Sequence, residues 1–157
     1  WSGAEYRGRG RQCNWTGSAT FKGCRIKHFA KINAWNHERQ LEQSNHNTVV
    51  WDTFTTGNFG GFDAWIEEGP TAQLDLTTNR GSIQEKLKDI GLEDFIMEAG
   101  GLERQLRVFR LPEENLHREV EYQLRIPLKP KEDNQLWICV TTEDGFQAWS
   151  SPVFVYR

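Results

Sequence analysis

Val120-Glu121-Tyr122-Gln123-Leu124-Arg125-Ile126-Pro127-Leu128 decides the fold class. Apolar residues stand at every even position and polar residues or proline at every odd one. Successive side chains of a strand point to opposite faces, so this alternation predicts a strand buried on one side. Val120, Tyr122, Leu124 and Ile126 are expected to face inward. Leu136, Ile138 and Val140 repeat the pattern, with Trp137 and Cys139 opposite.

Moving outward, Val49-Val50-Trp51-Asp52-Thr53-Phe54-Thr55 is rich in β-branched and aromatic residues, which suit a pleated surface. Leu74 with Leu76, Leu106 with Val108, and the closing Val153–Tyr156 mark further strands. Turn signals separate these runs: Gly57-Asn58, Gly60-Gly61, Gly69-Pro70, Asn79-Arg80-Gly81, Gly100-Gly101, Glu132-Asp133-Asn134 and Asp144-Gly145. Short strands punctuated in this way indicate an all-β protein, a two-layer antiparallel sandwich of jelly-roll or immunoglobulin-like type. One stretch competes. Ser82-Ile83-Gln84-Glu85 is a capping-box pattern, followed by Leu87 and Ile90 at helical spacing and by Gly91. It predicts a short helix near 82–90, with a strand through Ile83 and Glu85 as the alternative.

The chain of 157 residues suits one domain. Hydrophobic residues are 37% of it, so the seven tryptophans and nine phenylalanines must carry much of the burial. Residues 1–18, rich in glycine and arginine, read as a linker or interdomain arm, and residues 19–157 as the sandwich domain. The chain begins at Trp1 rather than Met, which reads as a processed product or fragment. No apolar run reaches the length of a membrane span, so no membrane partner is expected.

Net charge is −3, and no general field favours nucleic acid. The amino end is different. Up to Lys31 there are seven basic residues against a single acid, Glu5. Arg7, Arg9 and Arg11 alternate with Gly8 and Gly10. In an extended chain these side chains would share one side, a comb suited to an acidic surface or an anion. The plainer reading is a strap that packs on its own domain through Trp1, Tyr6 and Trp15.

Metal chemistry finds no support in spacing. Of the four histidines, His28, His37, His46 and His117, the first three stand nine residues apart, and no His-x-His or His-Glu-x-x-His pair occurs. Three cysteines, Cys13, Cys24 and Cys139, make neither a disulfide framework nor a zinc knuckle. No serine elbow or phosphate loop is present, and no cofactor is expected. Trp51, Phe54, Phe59, Phe62 and Trp65 surround a glycine-rich segment, and Trp51, Phe59, Phe62 and Trp65 are the four candidates for a ligand platform. They are read as core, with a sugar-stacking platform, and hence a carbohydrate-binding module, as the alternative.

The amino-terminal stretch Trp1–Arg11, the segment Ala99-Gly100-Gly101-Leu102-Glu103 with Arg110-Leu111-Pro112, and Glu143-Asp144-Gly145 with Ala148-Trp149-Ser150-Ser151-Pro152 together resemble a bacterial family of uncharacterised proteins. In that family a β-rich tail follows a part that looks like a metal-dependent hydrolase of the polymerase-and-histidinol-phosphatase (PHP) type. The resemblance is to the tail. It implies a non-catalytic accessory domain whose partner is the upstream catalytic domain of the same polypeptide. The metal-binding motifs of the hydrolase are absent here, so no catalytic residue carries over.

Overall fold

The computed structural model describes residues 1–34, 37–112, 119, 121–142 and 147–156. The chain divides into two compact units, Trp1–Leu111 and Pro112–Arg157.

The first unit is all-β and antiparallel. Its strands β1 (Cys13–Ile32), β2 (Gln40–Asn45), β3 (Thr48–Thr55), β4 (Gly61–Thr78) and β5 (Gly81–Lys86) form one sheet in the order β2-β3-β1-β4-β5. A ribbon of β6 (Phe95–Glu98) and β7 (Gln105–Val108) completes the unit. Two-residue loops join β2 to β3 through His46-Asn47 and β4 to β5 through Asn79-Arg80. In the second loop Thr78 Oγ1 accepts from Arg80 N at 3.1 Å and donates to Gly81 O at 3.0 Å.

β1 builds both layers. Its buried residues fall first on odd positions, Cys13, Trp15, Ala19 and Phe21, and then on even ones, Cys24 and Ile26. The phase changes at Gly23, which has φ +68° and interrupts the register with β4 between Lys22 and Cys24. A bulge inserts residues on one strand, so the inward face moves by one position. The extra residues opposite are Gly69-Pro70-Thr71-Ala72 of β4, where the absent N–H of proline leaves no ladder bond to lose.

The size of the bend follows from two rings. Trp51 pairs with Gly17, and Phe62 pairs with Lys31. A straight strand would hold those points about 45 Å apart. The ring centroids of Trp51 and Phe62 are 6.0 Å apart. β1 and β4 therefore fold back together, and the ribbon beyond the bulge covers the sheet from which it came. Gly17 lets the Trp51 ring lie on the strand. A Cβ there would be 2.7 Å from Trp51 Cζ2 and in collision with Thr77 O. Gly17→Ala should lower stability by about 1–3 kcal/mol in equilibrium unfolding, as overpacking does.

The core gathers Trp15, Ala19, Phe21, Val49, Trp51, Leu74, Leu76 and Ile83, with Leu106 arriving from β7. Residues 82–90 are not a helix. Gly81–Lys86 is strand, and Leu87–Asp89 is a single 3-10 turn. Pairing decides this: Ile83 lies opposite Leu76, both buried, and that burial outweighs a capping pattern. β1 begins at Cys13, Ser2 bridges Phe59 and Gln105, and Gly3 and Ala4 are buried.

The second unit contains β8 (Asn134–Leu136), β9 (Cys139–Thr141), β10 (Gln147–Trp149) and β11 (Val153–Val155), paired as β8–β11 and β9–β10. None of its described residues is buried. Here the expectation for the opening stretch fails. Residues 121–129 are not assigned to a strand, and Tyr122, Leu124 and Ile126 are 77%, 66% and 51% exposed rather than inward-facing. Val120 lies outside the described residues. Alternation tells which side chains share a face, but not which strand or layer will cover them.

Candidate functional site

Glu5 and Arg11 close a loop at its base, where Glu5 N donates to Arg11 O at 2.9 Å. Within it Gly8 has φ +86° and Gly10 φ +74°, and no atom lies within 4 Å of where either Cβ would be. Left-handed glycines turn the chain sharply. The arginines are therefore not an extended comb. They stand on a turning loop, and Arg7, Arg9 and Arg11 are all exposed. Among the described residues none of the three takes part in an ion pair, whereas Lys22 and Lys27 are paired with Asp75 and Glu67.

The loop is mounted on a charged anchor. The Glu5 carboxylate accepts from Arg80 Nη2 at 2.7 Å and is paired with Arg104 Nη1 at 2.9 Å. Arg80 also donates from Nε to Asn14 O at 3.3 Å, and its guanidinium lies 5.5 Å from the centre of the Trp15 ring. Arg104 Nε donates to Gly101 O at 2.9 Å. Two guanidinium groups on one carboxylate leave a net positive charge at the base, adding to the three above it.

Burial alone pushes the Glu5 carboxyl up, but the Arg104 hydrogen bond and the charges of Arg80 and Arg104 outweigh it. The net effect holds the group below its usual 4.5. A depressed folded pKa contributes stability that is present above pH 4.5 and lost as pH falls through the folded value. Glu5→Gln should therefore flatten the acid limb of the stability-against-pH curve. An acid limb identical to that of the unsubstituted chain would show that Glu5 does not carry it.

The structure separates the four aromatic residues. Trp51 is 2% exposed and stacks on Trp1, with centroids 4.8 Å apart and planes at 13°. Phe62 is half-buried beside it. Phe59 is half-buried, with the Arg107 guanidinium 5.9 Å from its ring centre. Trp65 is 50% exposed and tilts against His28 at 4.8 Å.

Cys13 and Cys24 are buried free thiols, Cys139 is an exposed one, and burial pushes the Cys13 and Cys24 thiols up. Among the described residues no group of three or more His, Cys, Asp or Glu side chains converges on one point. His117 lies outside those residues.

Arg80 and Arg104, which hold the loop, carried no signal in the sequence. The nearest hint was Glu5, the lone acid in a basic stretch. Comparison with family models, with curated proteins and with solved structures gives no match for this chain.

Proposed function

We propose that the chain is a non-catalytic carboxy-terminal accessory domain of a larger bacterial hydrolase-like polypeptide, and that it meets the upstream catalytic part through the loop Glu5–Arg11. The observation that carries this reading is the mounting of the loop. Arg7, Arg9 and Arg11 are exposed without ion-pair partners among the described residues, above an anchor made by Glu5, Arg80 and Arg104. Ordering a free arm costs roughly 1–2 kcal/mol per residue. Here closure at the base has already met part of that cost, which favours binding by preorganisation. Guanidinium groups bind carboxylates bidentately, so an acidic protein surface or an anion at the junction suits them. A sugar platform needs coplanar exposed rings, and among the four aromatic residues only Trp65 is exposed.

The test compares the chain with Arg7→Ala/Arg9→Ala/Arg11→Ala in calorimetric titration against the separately prepared upstream region. Surface ion pairs contribute about 0.2–1 kcal/mol each, so a loss of roughly tenfold in affinity is expected, shrinking as salt is raised. Unchanged affinity at low salt would remove the loop from the interface.

A further inference from the structure

The second unit carries an exposed segment outside any strand whose alternating sequence is complementary to itself. Glu121–Pro127 is exposed throughout, and among the described residues it joins no ladder. Tyr122, Leu124 and Ile126 hold one face of its pattern, and Glu121, Gln123 and Arg125 the other. The ladders β8–β11 and β9–β10 span three residues each. Two-stranded ladders are marginal alone in water and become stable when further strands or layers cover an apolar face. Trp137, Ile138, Val140 and Trp149 are exposed in the same unit, so apolar surface is available to be covered.

We propose that the occupant is a second copy of this chain, the two segments pairing antiparallel as strands along Glu121–Arg125 about a two-fold axis at Gln123. Charge and register select this arrangement. Centred on Gln123, Glu121 of each copy faces Arg125 of the other, and Tyr122 faces Leu124. Directly opposed residues of an antiparallel pair share a face, so both apolar rows come to one side. A centre one position further, at Leu124, sets Gln123 against Arg125 and forms no ion pair; one position back, at Tyr122, sets Glu121 against Gln123 and pairs Arg125 with Glu119 instead, an arrangement in which reversal of Glu121 alone has no like charge to meet. A centre between two residues sets apolar side chains against polar ones. A parallel pair sets Glu121 on Glu121 and Arg125 on Arg125. Pro127 has no N–H to donate and ends the ladder. The interface is isologous, the form that closes a dimer.

Sedimentation of the full chain at micromolar concentration should show a dimer. Arg125→Glu and Glu121→Arg, each alone, set like charges opposite and should weaken it about tenfold. Glu121→Arg combined with Arg125→Glu restores opposite charges and should restore the dimer. In a Cys139→Ser background, Gln123→Cys should form an intermolecular disulfide under mild oxidant much faster than Glu121→Cys does. The remaining thiols, Cys13 and Cys24, are buried and do not compete. Circular dichroism on each variant separates misfolding from lost pairing, and the Gln123→Cys arm leaves the charges untouched. A monomer throughout, a dimer indifferent to the single reversals, a double reversal that does not recover, or equal cross-linking at the two sites would each overturn the proposal. Any of these would remove Glu121–Arg125 from self-pairing, and the reading of the arginine loop would stand unaffected.

Discussion

Trp15→Ala should cost about 3–5 kcal/mol in equilibrium unfolding, the scale of loss expected when a buried aromatic ring is removed. Trp15 is fully buried on β1, and its indole N–H donates to Thr55 Oγ1 at 3.0 Å. Thr55 in turn donates to Gly3 O at 2.6 Å. Truncation removes the ring and strips a buried hydroxyl of one partner, and the Arg80 guanidinium loses the face it lies on. Trp15→Phe keeps most of the packing and removes the donor, so its cost should be smaller, about 1–3 kcal/mol. Urea unfolding followed by circular dichroism measures both. A cost for Trp15→Ala under about 0.5 kcal/mol is the scale of a surface change and would place the ring outside the core.

Gly3→Ala should be nearly as damaging. Gly3 has φ +103°, where an L side chain is strained. A Cβ there would lie 2.5 Å from Arg104 N and 2.7 Å from Glu103 C, both backbone atoms. The neighbouring turn has little room to yield, because Leu102 and Glu103 already hold φ values of +60° and +58°. Gly3 also receives Gly57 N at 3.0 Å on its carbonyl, so moving it disturbs a second loop. Backbone strain and overpacking each run to about 1–3 kcal/mol, and together a loss of roughly 2–5 kcal/mol is expected. The same unfolding experiment reads it. Stability equal to that of the unsubstituted chain would mean that the first four residues are not pinned.

How much of this was legible in the sequence differs from segment to segment. The class of fold was legible because β-branched runs and turn dipeptides act locally. Val49–Thr55 falls within β3, and Asn79-Arg80-Gly81 marks the β4–β5 hairpin. The bend of β1 was not legible. Gly23 becomes a bulge only when four residues of β4 stand opposite it, and that depends on a partner more than forty residues away. At 82–90 a local capping pattern competed with pairing to Leu74 and Leu76, and pairing prevailed. At 121–128 alternation identified a face and could not supply its cover.

The site shows the same division. Exposure of Arg7, Arg9 and Arg11 followed from their charge. Their arrangement did not, because Gly8 and Gly10 take left-handed conformations that break the extended geometry. The anchor was beyond reach of spacing arguments, since Glu5 and Arg80 meet across 75 positions of chain.

Thermal unfolding of the Arg7→Ala/Arg9→Ala/Arg11→Ala chain, beside the unsubstituted chain, tests most directly whether the loop is displayed by the scaffold or belongs to it. A display element carries no core packing, so a stability change within about 0.5 kcal/mol is expected, the ordinary scale of surface substitutions. A loss of 2 kcal/mol or more, roughly what Gly3→Ala should produce, would contradict this and make the arginines part of the fold that they are proposed only to decorate.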